Sequence, residues 1–171
     1  MKKVVPVYLE VAPKRTFACA VDWPGWARHG RTEAEALASL LDYGQRYALA
    51  LKGSRLGFAA PVAPAQLAVV ERLTGNATTE FGAPAVAPSH DAERLCDAAT
   101  LKRFGTILRC CWRAFDAAVA AAEGVELAKG PRGGGRSVEQ IVAHVVEADA
   151  SYLGALGWKA PKDGGTAAMR E

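Results

Sequence analysis

The sequence predicts an α+β protein: a small β-β-α-β unit followed by a long antiparallel helical hairpin, half of a four-helix bundle that a second copy would complete. Three observations predict it. The run Asp22-Trp23-Pro24-Gly25-Trp26-Ala27-Arg28-His29-Gly30-Arg31-Thr32, leading straight into Glu33–Leu41, compresses a strand end, a tight turn and a capped helix into very few residues. From Thr74 to about Ala92 the composition shifts to Gly, Asn, Thr, Pro and Ser, which reads as a linker. Beyond it, two long segments carry apolar residues at 3.6-residue spacing. A chain of 171 residues that is 50% hydrophobic has enough apolar surface for a core, although much of that fraction is alanine, which buries little area.

The first strand is expected at Val4–Val11, rich in β-branched and aromatic residues, with Pro6 pointing to an edge position. Ala12-Pro13-Lys14-Arg15 reads as a hairpin turn and Thr16–Asp22 as the returning strand, with Phe17, Cys19 and Val21 on one face. Pro24 and Gly25 stop that strand. Thr32 and Glu35 form a capping box for one helix whose apolar stripe is Ala36, Leu37, Leu40, Leu41, Gly44, Tyr47, Ala48 and Leu51, closed by Lys52-Gly53. A third strand follows at Gln66–Arg72. After the linker, a helix over about Asp97–Glu123 carries Leu101, Phe104, Leu108, Cys111, Trp112, Phe115 and Val119 inward. The last helix starts at Ser137, an N-cap with Gln140 in the box position, turns Val138, Ile141, Val142, Val145, Ala148 and Tyr152 inward, and ends at Gly154 and Gly157. The resulting divisions are a first unit over 1–75, a linker over 76–94, a helical hairpin over 95–157 and a flexible tail over 158–171. Two such helices leave apolar stripes that need the sheet or a partner copy, so a homodimer is expected.

The formal net charge is +3, and it is uneven: residues 1–60 hold nine Lys and Arg against five Asp and Glu. Lys14, Arg15, Arg28 and Arg31 are the residues through which nucleic acid would be held, but so small an excess is ordinarily solvated surface, and nucleic acid is not the expected partner. The four cysteines, Cys19, Cys96, Cys110 and Cys111, contain no CxxC spacing. Pro6 and Glu10 interrupt any secretory apolar run after Met1-Lys2-Lys3, and no stretch of about 18 apolar residues spans a membrane, so a cytoplasmic protein with reduced thiols is expected. Cys110 and Cys111 read as core filler.

Two stretches resemble known families. The β-β-α-β order, with Asp22-Trp23-Pro24-Gly25-Trp26 passing through Gly30-Arg31-Thr32 into Glu33-Ala34-Glu35-Ala36-Leu37, resembles the HicB-like antitoxin fold over roughly the first 72 residues. That resemblance implies neutralisation of a toxin by protein contact, and often operator binding through an appended DNA-binding module. Nothing after residue 75 reads as a helix-turn-helix or ribbon-helix-helix. The stretch from Gly135 to Asp149, with Ile141-Val142-Ala143-His144 in a capped helix, is similar to the first half of the DinB-like four-helix bundles. There the resemblance implies that His144 joins two further histidines around a divalent metal, with other chains supplying the rest of the site here. It implies metal-assisted thiol transfer or hydrolase chemistry, because a divalent ion lowers the pKa of a bound thiol or water.

The residues themselves carry less chemistry. His144 falls between Ile141, Val145 and Ala148 on the face expected to point inward, where a histidine is more often a hydrogen-bonded core residue than a ligand. Arg132 and Arg136, in the Gly130–Arg136 run before a helix N-terminus, are the candidate anion-binding residues, against the reading of that run as a plain interhelix turn. Trp23, Trp26, Arg28 and His29 are the candidate partner contacts, although tryptophans around a Pro-Gly turn commonly staple a hairpin to a helix. No Gly-x-Ser-x-Gly elbow is present, and Glu33 and Glu35 are explained by the dipole of the helix they begin. The sequence therefore reads as a cytoplasmic protein-interaction or regulatory module with no catalytic residue and no required cofactor. The rival is a divalent-metal-dependent (zinc or nickel), thiol-using transferase or hydrolase of the DinB-like kind.

Overall fold

The computed structural model describes residues 4–89, 97–128 and 135–159. The α+β class expected from the sequence is what it contains: a four-stranded mixed sheet with helices, among them one of 24 residues. The strands are β1 (Val5–Val11), β2 (Thr16–Ala20), β3 (Ala27–Gly30) and β4 (Leu67–Thr74), in the order β3-β2-β1-β4. The helices are α1 (Glu33–Asp42), α2 (Gly44–Ala50), α3 (Ala77–Phe81), α4 (Ala98–Ala121) and α5 (Val138–Ala155), with a 3₁₀ turn at Pro64–Gln66. None of the described helices is long and apolar enough to cross a membrane.

The chain divides into two compact units, Met1–Cys111 and Trp112–Glu171. In the first, β1 runs antiparallel to β2 with Leu9 opposite Ala18, and parallel to β4 with Val5 opposite Leu67. Pro6 therefore lies in a central strand and not at the expected edge. The hydrogen-bond pattern explains why this is tolerated. The Val21 amide donates to the Pro6 carbonyl, so the missing Pro6 N–H faces the open end of the β1–β2 ladder, just past the last residue of β2.

Val5, Val7 and Leu9 of β1, with Ala18 and Ala20 of β2, point to one face of the sheet. Ala36, Leu40, Tyr47 and Leu51 cover them, and Ile107 and Cys110 of α4 join the same cluster. The helix expected over 33–51 is interrupted at Tyr43, which is at once the C-cap of α1 and the N-cap of α2. Gly44 follows, and a Cβ there would meet the Trp26 ring and Ala60 at 3.4 Å, so the break lies where neighbouring groups crowd the backbone.

The inward face of α4 also differs from expectation. Leu101 and Leu108 are exposed, and Ile107 and Cys110 are the buried positions, with Cys111 packed against the core. Beside the buried positions, Arg103 stacks its guanidinium over the Trp23 ring, 4.3 Å from its centroid.

The opposite face of the sheet is covered by chain that the sequence assigned to a linker. Asn76 caps α3 with a box completed by Thr79. Glu10, fully buried on this face, accepts hydrogen bonds from the Thr79 hydroxyl and from the Ala85 and Val86 amides. One carboxylate thus fastens residues 79–86 to the sheet, and Glu71 of β4 accepts from the Ser89 amide, so residues 76–89 are tied to the sheet at both ends. The rest of the expected linker, 90–94, and the tail from 160 lie outside the described residues.

In the second unit, α5 starts where expected, at Ser137 with its Gln140 box. It continues through Gly154, expected as a terminator, to Ala155. None of its residues is buried, so the stripe expected to turn inward is not enclosed by the described residues.

Candidate functional site

The feature that the sequence missed altogether is β3. Trp23-Pro24-Gly25-Trp26 does not only stop β2; it returns the chain, with Gly25 at φ 85°, so that Ala27–Gly30 pairs back along β2. Ala27-Arg28-His29-Gly30 has no β-branched residue, and its strand character comes from backbone pairing to a neighbour alone. The Pro-Gly turn between two tryptophans was the available signal.

β3 is the terminal strand of the sheet. The Ala20 amide donates to the Trp26 carbonyl, so in this antiparallel ladder Trp26, Arg28 and Gly30 turn their backbone groups toward β2. Ala27 and His29 consequently direct theirs outward. The Ala27 carbonyl is taken by the Arg28 guanidinium at 3.1 Å, which leaves, among the described residues, the outward groups of His29 and the Ala27 N–H as the open row.

Beside this edge lies a cleft of about 510 Å³ lined by Lys14, Arg15, His29, Gly30, Arg31, Glu35, Ala38, Ser39 and Asp42. One wall is the β1–β2 turn and the end of β3, and the other is one flank of α1, whose residues 35, 38, 39 and 42 recur at helical spacing. Each cationic residue has a positioned anchor. The Lys14 amide donates to Glu80 of α3 at 2.7 Å, and the Arg15 guanidinium lies over Gly82, whose φ of 132° and missing Cβ leave room for it. The Arg31 amide donates to Glu35 at 2.8 Å, and His29 meets Phe17 edge-on with ring centroids 5.4 Å apart. Of the four cations grouped by the sequence, three line this cleft. The fourth, Arg28, stacks on Tyr43, 3.8 Å from the ring centroid, with its Nε buried and without a hydrogen-bond partner among the described residues.

Trp23 and Trp26, expected as partner contacts, are 6% and 2% exposed. Trp26 stacks on Tyr47 and donates its indole N–H to the Leu40 carbonyl; both tryptophans meet Phe58 edge-on. Their aromatic surface is spent inside the first unit, stapling the Pro-Gly turn to α1 and α2, and the Tyr47 hydroxyl closes the staple on the Pro24 carbonyl. Of the four candidate contacts, Arg28 is half-buried and His29 is exposed.

His144 is exposed on α5, not on an inward face. Among the described residues no group of three His, Cys, Asp or Glu is arranged to hold a metal ion. Arg136 lines a second cleft, of about 930 Å³, between the end of α4 and the start of α5, which it shares with Glu123, Glu126 and Glu139. Carboxylates outnumber the arginine there, and Ser137 holds Glu139 below the usual carboxylate range, so the local field disfavours an anion. Arg132 lies outside the described residues.

The described cysteines, Cys19, Cys110 and Cys111, are free thiols. Burial pushes Cys19 up to about 11 and also raises Cys111, so both are neutral at physiological pH and neither is an activated nucleophile. The class this fold and cleft define is an α+β protein with an open sheet edge beside a charged groove. No family model, curated protein or solved structure gives a significant match to the chain.

Proposed function

We propose that this chain is a protein-interaction module of the HicB-like kind, cytoplasmic and non-catalytic, whose first unit takes an extended partner segment along the free edge of β3. The observation that carries the reading is the outward row of His29 and Ala27 backbone groups on a terminal strand, opening beside a groove walled by α1. An extended segment gains affinity there from main-chain hydrogen bonds and specificity from alternate side chains in the groove. The neutral thiols of buried Cys19 and half-buried Cys111, and the exposed position of His144 with no metal-holding group around it among the described residues, favour this reading over a thiol-using metalloenzyme.

The test is a screen of immobilised extended peptides against the full chain, followed by amide NMR of any peptide selected. Binding should shift the Ala27 and His29 amides and slow their exchange. His29→Pro, which removes one outward donor while leaving the β2 ladder intact, should weaken that peptide by about tenfold. Selected peptides whose shifts map away from β3, or that bind His29→Pro unchanged, would sink the proposal.

A further inference from the structure

The cations beside β3 make no ion pair among the described residues. Lys14, Arg15 and Arg31 share a cleft with Glu35 and Asp42, yet among the described residues none of the three side chains comes within ion-pair distance of either carboxylate or donates a hydrogen bond. Elsewhere on the same unit the chain does pair such charges: Arg72 grips Glu33 through a two-pronged contact at 2.9 and 3.0 Å. The contrast matters because a cation next to a carboxylate on a mobile surface ordinarily finds it, and here the backbone anchors hold the groups apart. The Glu80 contact fixes the Lys14 backbone, Gly82 seats the Arg15 guanidinium, and Glu35 is occupied by the Arg31 amide. The cleft is polarised as a result, cationic on the wall formed by the β1–β2 turn and the end of β3, anionic on the α1 wall.

We infer that Lys14, Arg15 and Arg31, with His29 beside them, form a subsite for an oxyanion carried by the partner, a carboxylate or phosphate side chain on the segment that docks along β3. The inference rests on the edge-strand reading for its ligand's conformation but not for its charge. Arg15 and Arg31 offer planar forks that match an oxyanion in two-pronged contact, and Lys14 adds a point charge at the turn. The Arg15 guanidinium is seated against Gly82 and the Lys14 and Arg31 backbones are held, so part of the ordering precedes the ligand. Asp42, at the far end of the α1 flank, faces the same space and repels an anion, which makes it the control that distinguishes a local subsite from a generally basic surface.

The test is an NMR and calorimetric titration of the full chain with three short peptides of one alternating Val/Thr frame whose central residue is Ser, Glu or phosphoserine, alongside inorganic phosphate and a DNA duplex. The Glu and phosphoserine peptides should bind at least about tenfold tighter than the Ser peptide, and their ratio separates a carboxylate site from a phosphate site. That advantage should shrink in Arg15→Gln and in Arg31→Gln and grow several-fold in Asp42→Asn, all three being substitutions of side chains outside the buried core. Equal binding of the three peptides, with the His29 amide still shifted, overturns the oxyanion subsite and leaves the edge-strand reading standing. Phosphate shifting the Arg15 and Arg31 side chains while no peptide moves the His29 amide supports the subsite and overturns the edge strand. Tight duplex binding with no response to any peptide overturns the inference in favour of a nucleic-acid backbone.

Discussion

Cys19 packs on the sheet face that also carries Glu10 and Phe17, and it illustrates how a single buried group ties stability to pH. Burial is the main cause of its thiol moving from 9.0 to about 11; a hydrogen bond with Tyr8 works against the rise and the Glu10 charge adds to it. A pKa that is higher in the fold than in the unfolded chain means the fold favours the protonated form. The stabilisation that follows is complete below the unfolded value of 9.0 and drains away as pH climbs through about 11. Chemical denaturation across that alkaline window should show the wild type losing stability more steeply than Cys19→Ala, and a thiol reagent at pH 8 should label Cys19 only after urea is added. Equal slopes for the two proteins would mean the thiol is not desolvated. In Trp23 and Trp26 the sequence held both readings, stapling the turn and meeting a partner. Only the packing of Tyr47 and Phe58 around them decided for the first, because whether an indole is exposed depends on residues more than twenty positions away.

Gly30 marks the point at which β3 gives way to α1, and the close approach there is between elements. A Cβ on this residue would run into the Glu35 side chain and come within 2.7 Å of the Glu35 carbonyl carbon, backbone that cannot move aside without shifting the helix. Gly30→Ala should therefore destabilise the first unit by about 1–3 kcal/mol, read as a lowered midpoint in urea, and should loosen the cleft by displacing Arg31. An unchanged midpoint would show that α1 is not seated as described. At this scale the sequence was legible where a local signal existed. The Thr32 and Ser137 caps were found because a cap pattern is written within four residues; at Ser137 the full box forms, whereas at Thr32 only the hydroxyl half does, the Glu35 side chain accepting from the Arg31 amide instead of the Thr32 amide. β3 and the covering role of residues 76–89 were missed for the opposite reason: β3 lacks any residue of strand preference, and the 76–89 segment is held by Glu10, more than sixty residues upstream, through bonds no local pattern announces. Lys14, Arg15 and Arg31 stood out as charges, but their convergence on one cleft with Asp42 came from the hairpin and helix meeting in space.

At the scale of the whole molecule, α5 offers an 18-residue amphipathic helix with no buried residue, and a second copy of the hairpin is the occupant that would complete a four-helix arrangement. Light scattering at micromolar concentration should then return twice the 18.0 kDa chain mass, and Ile141→Asp with Val145→Asp should return the monomer while keeping the first unit's aromatic near-ultraviolet signal. A monomeric wild type would remove the dimer from the account. What the sequence by itself determined was the α+β class, the caps at Thr32 and Ser137, most of the strands and the existence of two long helices, since each depends on propensity and periodicity within a dozen neighbours. What only the tertiary structure decided was which face of α4 is buried, where Pro6 sits in the sheet, that a fourth strand forms its open edge, and that Lys14, Arg15 and Arg31 line one groove. Those features depend on contacts between segments far apart in the chain, and a linear pattern carries the identity of such residues without carrying which of them meet.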